Sequence, residues 1–427
     1  MLKILQYGDC GARVSLLQKG LQRAGFDPGT IDGIFGPRTK AALLAFQRRE
    51  GLGQDGLAGE RTQAALRRWY TGFVRHTVQP GDTLWRLAQR YRSSLLALET
   101  ANAGVDPYRL LPGQTLTVPL PFPVVPEDVP MSHELCGLCV EGLAARYPFL
   151  TRFRWGESAL GRPLWGLGWG AGKRKVFYNA AHHANEWITA LLLLRFAEAL
   201  CEARMNQGGL YGVEAAALWD RAEISLAPLV NPDGVDLVTG ALEEPEALRA
   251  AAEMAARYPG IPFPSGWKAN IWGIDLNLQY PAGWDEAREI KFAQGYVSPG
   301  PRDYVGPAPL AAPESSALYY QTLSLLPERI LAFHTQGQVI YWKYADREPA
   351  GSRELAAILS QASGYRWEDT PYAAGFAGYK DWFIARFDRP GYTIEAGLGE
   401  NPLPLSQLPE IWRQNLGILV LCAWEDL

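Results

Sequence analysis

Cysteine is sparse here and odd in number: Cys10, Cys136, Cys139, Cys201 and Cys422 are the only five. They make no framework of the kind that staples small secreted domains. Cys136 and Cys139 have CxxC spacing, but no second pair and no nearby histidine completes a zinc knuckle, so they read as packing on a helix face. Long apolar runs are also missing, which argues against a membrane-spanning helix. Met1–Gly8 lacks the apolar core and cleavage site of a signal peptide, so the expectation is a cytoplasmic start or a trimmed secreted form. Excess charge of either sign is absent: a net charge of −4 leaves no electrostatic footprint for nucleic acid. Histidine is scarce too, at positions 76, 133, 182, 183 and 334, so any imidazole chemistry must come from this small set.

Aromatic residues are plentiful, with 15 Trp and 19 Tyr; they suit large cores and also carbohydrate or peptide clefts, and decide between neither. A chain of 427 residues calls for several domains. Residues 1–72 read as a small all-α bundle: an apolar stripe at Val14, Leu17 and Leu21, a second helix capped by Thr39, and a third from Thr62 to Trp69. Residues 75–120 read as strand, helix, helix, strand, with Asp82 or Thr83 capping the first helix. Pro121, Pro123, Pro126 and Pro130 make 121–130 a semi-rigid linker. Residues 131–427 alternate strand-like and helical runs, which predicts an α/β sandwich around a buried sheet. Two separate small cores ahead of a linker predict that residues 1–120 can be removed without harm to the large unit.

In the large unit, Lys175–Asn179 reads as a strand and Ala190–Leu200 as a helix, so the stretch between them is a strand-to-helix turn. It holds His183 and Glu186. On a first helical turn that spacing puts both side chains on one face. An imidazole and a carboxylate converging this way make half of a zinc site, while a surface turn whose acid caps the helix fits the same residues. Zinc needs a third protein ligand and a position left open for water. His334 ends the apolar run Ile330–His334, at the kind of strand end where sheet-based sites are built; a lone histidine there also serves structure alone. Glu395 lies within the core-like strand Gly391–Gly397, where an acid is costly unless paired or functional; it is the candidate for proton transfer.

Three families are matched by these residues. Gly11, Val14, Leu17, Gln18, Leu21, Gly25, Asp32–Gly36, Thr39, Ala42 and Phe46–Gln47 resemble the peptidoglycan-binding domain found beside cell-wall hydrolases. Val78–Leu84, Asn102 and Leu111–Gln114 resemble the LysM domain, a βααβ module whose members bind N-acetylglucosamine-containing glycans. His183–Thr189, Asn231–Gly234, Gly273–Asn277, His334, Tyr372 and Glu395 resemble the zinc metallocarboxypeptidases. That last resemblance implies an α/β/α sandwich with a mixed sheet and one Zn²⁺ held by His183, Glu186 and His334. It also implies Glu395 as general base, Tyr372 as a mobile tyrosine that closes over substrate, and Asn277 at the substrate site.

Departures from that family carry as much information. Family exopeptidases follow the equivalent of Asn277 with an arginine that clamps the substrate's terminal carboxylate; here Leu278 follows, and leucine makes no such contact. The family's oxyanion-stabilising arginine has no clear match; Lys268 or Asn270 in Trp267–Trp272 is the nearest candidate. Lys380, just before Asp381, falls at the base of the family's specificity pocket. It is either a docking cation for the distal carboxylate of diaminopimelate or half of an internal ion pair with Glu400 or Asp381. With its wall-binding modules, the whole chain resembles the γ-D-glutamyl-meso-diaminopimelate peptidases, the endopeptidase I type of sporulating bacilli. The resemblance implies cleavage of that bond in peptidoglycan stem peptides, glycan strands and stem peptides as partners, and a wall or spore location, or the mother-cell cytoplasm. A zinc carboxypeptidase acting on other peptides and a catalytically dead wall-binding protein are the alternatives.

Overall fold

The computed structural model describes residues 4–426; residues 1–3, the start of the segment read above for a signal peptide, and residue 427 lie outside it. Strand-like runs flanked by helical ones must bury both faces of a sheet, and residues 151–395 do so. Eight strands lie in the spatial order Arg366–Glu368, Val339–Tyr341, Gly391–Glu395, Arg329–His334, Arg174–Ala180, Ala222–Ala227, Pro163–Trp169 and Thr151–Glu157. The four central neighbours, from Gly391–Glu395 to Ala222–Ala227, are parallel, and antiparallel pairs flank them. Helices Ile188–Met205, Ser352–Ser363 and Leu408–Trp424 cover one face through Leu191, Leu355 and Ile418. Helices Pro313–Leu325 and Tyr379–Phe387 cover the other through Leu318 and Phe383. With both faces covered, Arg329–His334 is buried along its whole length, which is why it reads as an unbroken apolar run. The parallel strands end side by side at Ala180, His334 and Glu395, with Glu395 opposite His334 in register.

Helices Ala12–Arg23, Pro37–Arg49 and Glu60–Thr71 form the first unit. Gly36 rather than Thr39 precedes the second helix, which starts at Pro37. Thr39 is buried inside it instead, where its hydroxyl accepts from Gln18 Nε2. Gln18 also donates to Asp32 and accepts from Gly33 N, and Gln47 repeats the arrangement with Asp55 and Gly56 N. Each buried glutamine thus pins an Asp-Gly turn that would otherwise leave polar groups unpaired. The second unit pairs Phe73–Thr77 with Thr115–Pro119 around two short helices capped by Thr83 and Ser94. Asp82 does not cap; it accepts from Gln79 N and lies 2.7 Å from His76 Nε2.

The expected independence of the first unit does not hold. One apolar cluster runs from Val14, Phe46 and Tyr70 through Val124, Val129 and Leu135 into Leu191. Residues 121–130 are a packed strap and not a free linker: Val124, Val125 and Val129 are buried, and burial of each contributes roughly 1.5–3 kcal/mol. Buried Glu198 accepts from Val124 N at 2.6 Å and Val125 N at 3.0 Å, while Arg23 donates to the Pro123 carbonyl at 2.6 Å and Arg146 to that of Phe122 at 2.7 Å. At Gly142 the helix His133–Arg146 comes so close to the first unit that an added Cβ would collide with the Thr71 carbonyl oxygen. Cys136 and Cys139, the CxxC pair, are buried free thiols on this same helix.

The LysM-like unit differs. Its core of Val78, Leu84, Leu87, Leu98, Leu116 and Val118 is separate, and its two ends meet where Leu120 N donates to the Gly72 carbonyl at 2.8 Å. Excising residues 73–119 and rejoining the ends through a short Gly-Ser bridge is expected to move the melting temperature by no more than about 3 °C. Removing residues 1–72 strips the strap of its cover and is expected to lower it by about 5 °C or more. Calorimetry of the two truncated chains checks this, and the reverse ranking would contradict the packing described.

Candidate metal centre and active cleft

From the end of strand Arg174–Ala180 the chain turns sharply. Ala181 adopts a φ of 54°, a region that non-glycine residues rarely enter. Its N–H donates to Thr189 Oγ1 at 3.1 Å, and that hydroxyl donates to the Glu186 carbonyl at 2.7 Å. The result is a 3-10 turn over Ala184–Glu186 ahead of the helix Ile188–Met205, so His183 and Glu186 precede the α-helix instead of sharing its first turn. Asn231, from the Asn-Pro-Asp-Gly loop, donates to the His182 carbonyl at 3.1 Å and the Ala269 carbonyl at 3.0 Å. It ties the turn to the loop that carries Lys268.

His183 Nδ1 lies 2.9 Å from Glu186 Oε1, and His334 Nδ1 lies 2.9 Å from Glu186 Oε2. The two ring nitrogens are 3.3 Å apart. His183, Glu186 and His334 each offer a donor atom, all within 4.8 Å of one another. Two imidazole lone pairs and a buried carboxylate aimed at one point repel unless protons or a cation sit between them. Two neutral imidazoles, one carboxylate and a side open to a cleft are the donor set of a catalytic zinc site, and these residues fit one. His182 stands outside the set. It is buried against His334, with ring centroids 5.5 Å apart, and its Nε2 is 3.1 Å from the Tyr280 hydroxyl. Burial pushes its pKa well down, so it stays neutral.

Asp275 was not singled out from the sequence, yet it holds the centre in place. Its Oδ1 lies 3.1 Å from His183 Nε2 and accepts from Asn277 N, and its Oδ2 accepts from Asp303 N. A hydrogen bond at Nε2 fixes the ring and leaves Nδ1 as the donor atom. Burial works against ionisation of Asp275, but His183 and Lys268 outweigh it and keep the carboxylate well below its usual range. The signal for this residue was an acid ahead of a buried stretch, the same signal as an ordinary turn cap, and Asp275 does cap the turn Leu276–Leu278.

A cleft of about 230 Å³ opens beside the cluster, lined by Lys268, Asn277, Leu278, Arg302, Lys380 and Glu395 among others. Glu395 is half-buried at its strand end; burial and the neighbouring Glu186 push its pKa up to about 8. Lys268 Nζ lies 3.0 Å from Glu186 Oε1. Burial alone would lower its pKa, but Glu186 outweighs burial and the ammonium stays charged. Asn277 Oδ1 accepts from Tyr379 N at 3.0 Å. Leu278 packs with Trp284, Val305 and Ala377 at the edge of the cleft.

Asn270 is placed differently from its sequence reading, and for Lys380 the structure shows one of the two arrangements read from the sequence. Asn270 is fully buried and its side chain is spent: Nδ2 donates to Glu314, and Oδ1 accepts from Trp272 N and Ile274 N. It shapes the loop and offers substrate nothing. Lys380 borders the cleft but is 3 % exposed, donating to the Lys343 carbonyl at 2.6 Å and paired with Asp381, so the internal ion pair is the arrangement present. Tyr372 is 76 % exposed and packs edge-on against Phe376 in a neighbouring depression, turned out of the cleft. For Asp275→Asn, a chelator-competition titration is expected to show metal affinity reduced about 10- to 100-fold. Unchanged affinity would remove Asp275 from the metal's support.

The zinc carboxypeptidase family profile matches residues 139–417, the peptidoglycan binding domain residues 10–66 and the LysM domain residues 76–119. Gamma-D-glutamyl-L-diamino acid endopeptidase 1 of Lysinibacillus sphaericus is 40% identical over 395 residues, covering 80% of this chain and 98% of that protein. A spore cortex-lytic enzyme of Bacillus cereus is 40% identical over 81 residues, which span 19% of this chain and 31% of that enzyme. Among solved structures, bovine thrombin-activatable fibrinolysis inhibitor superposes with a TM-score of 0.53 at 17% identity, over 70% of this chain and 97% of that one, a likeness of fold. With the family profile covering most of its length and the ligand cluster in place, the chain belongs to the zinc carboxypeptidase family.

Proposed function

We propose that this chain hydrolyses the amide joining the γ-carboxyl of D-glutamate to meso-diaminopimelate in peptidoglycan stem peptides, using one zinc ion. The observation that carries the reading is a complete donor set beside Glu395, in a cleft where apolar Leu278 follows Asn277. The chemistry of an amide hydrolase is present, while the arginine an exopeptidase would use at that position is not. The named activity of the 40%-identical relative and the two wall-binding modules support the same reading. They also support an association with cell wall or spore, with glycan strands as the ligand of the modules.

His183, Glu186 and His334 would hold the ion, and Asp275 keeps His183 in the donating tautomer. When bound, zinc polarises the scissile carbonyl and makes water acidic enough to attack at neutral pH. Glu395 takes the proton from that water and delivers it to the diaminopimelate nitrogen as the amide breaks. Lys268 brings a fixed positive charge to the cluster and stabilises the charge developing on the carbonyl oxygen. Tyr372, open here, swings in to cover the substrate.

The tetrapeptide L-Ala-γ-D-Glu-meso-Dap-D-Ala separates the readings. Mass spectrometry is expected to find L-Ala-D-Glu and Dap-D-Ala; release of D-Ala alone would mean a carboxypeptidase, and no product a dead fold. Glu395→Gln is expected to keep its zinc and lose on the order of 10²–10⁴ in turnover. Near-normal turnover of that variant would take Glu395 out of the mechanism.

A further inference from the structure

Four cations line the cleft: Lys268, Lys291, Arg302 and Lys380. Lys268 is paired with Glu186, and Lys380 with Asp381. Lys291 and Arg302 share a single carboxylate: Asp303 Oδ1 lies 2.5 Å from Lys291 Nζ and Oδ2 lies 2.5 Å from Arg302 Nε. The two cations share that one paired carboxylate, on the wall of the cleft that holds the metal ligands, with Asp275 the next carboxylate.

The position of Arg302 is well defined. Asp303 is buried and takes a φ of 64°, and its N–H donates to Asp275 Oδ2 at 3.1 Å. Asp275 in turn holds His183. Next to Arg302, the Pro301 carbonyl accepts from Lys268 N at 2.7 Å and Ala269 N at 2.9 Å. The guanidinium is therefore anchored through its Nε to the residues that orient a metal ligand. Neither of its Nη groups hydrogen-bonds to a described residue, and the side chain is 40% exposed. A planar fork held at one corner with its other donors free is built to take a carboxylate through two parallel hydrogen bonds.

We propose that Arg302, held through its Nε by Asp303, docks a free carboxylate beside the scissile amide. It thereby recovers, from the loop at 300–304, the anion recognition that Leu278 gives up. This rests on the stem-peptide reading above. A γ-linked D-glutamate keeps a free α-carboxylate on the same residue as the scissile carbonyl, and meso-diaminopimelate keeps one on its distal centre; an ordinary α-linked peptide of neutral residues has neither. Arg302 is then a specificity residue for anionic stem peptides.

The test is a binding cycle on the catalytically disabled full-length, zinc-loaded Glu395→Gln protein. Calorimetry compares it with Glu395→Gln carrying Arg302→Gln or Arg302→Lys. The probes are the tetrapeptide and two analogues, one amidated at the D-Glu α-carboxylate and one at the distal diaminopimelate carboxylate. Arg302→Gln is expected to weaken tetrapeptide binding about 10- to 100-fold, and Arg302→Lys less. Amidation of the docked carboxylate should weaken the parent by a similar factor and leave the Arg302→Gln protein no weaker still, so whichever analogue shows this identifies the group bound. An equal effect of Arg302→Gln on all three peptides, or none on any, overturns the proposal. Zinc content and melting temperature of each variant separate a binding defect from misfolding. Because the readout is binding, cleavage at an unexpected bond would refute the functional reading and leave this result standing.

Discussion

Burial of the Glu186 carboxylate between two imidazoles is the constraint on which the rest of the catalytic unit depends. An ion this far from water is tolerated only where opposite charge and hydrogen bonds surround it. Burial pushes its pKa up; His183 and Lys268 outweigh that and hold it well below the ordinary range. Each feature around it serves this end. The left-handed Ala181 turns the chain so that Glu186 faces inward, the strand Arg329–His334 brings in His334, and Asn231 ties the turn to the Lys268 loop. Parallel strands then place Glu395 opposite His334 with no further device. A mixed sheet whose parallel strands end at one edge thus gathers charges from residues 183 to 395 that would otherwise each be costly to bury.

A second buried carboxylate has the same part in the assembly of domains. Glu198 lies on the long helix that follows the metal turn, and it accepts the backbone N–H groups of the strap at Val124 and Val125. Because the strap is also covered by the first helical unit, that unit is held in one orientation to the cleft. The LysM-like unit hangs from the adjoining strand ends with its own core. Outside that core, its helix Leu95–Ala101 rests beside His133–Arg146 and Ile188–Met205.

What was legible in the sequence, and what was not, follows from the range of the interactions. His183, Glu186, His334 and Glu395 each fit an ordinary structural use alone, and they could be read together only because their order resembles a family's motifs. The sheet could be read because strands covered on both faces are continuously apolar. Asp275 escaped because a turn cap and a histidine support look alike until His183 is brought across from 92 positions away. Asn270 misled for the opposite reason: it sits in the right loop, but its amide belongs to Glu314. Residues 121–130 have the composition of a tether, and partners distant in sequence, among them Glu198, Arg23 and Arg146, turn them into a packed strap.

The decisive feature is one ion among His183, Glu186 and His334. Anomalous diffraction above and below the zinc absorption edge, from crystals of the protein purified without chelator, tests this directly. One zinc peak per chain is expected, bordered by His183 Nδ1, the Glu186 carboxylate and His334 Nδ1. A peak elsewhere, a peak with His182 in place of His183, or no zinc at a site that also fails to take it up on soaking would contradict it.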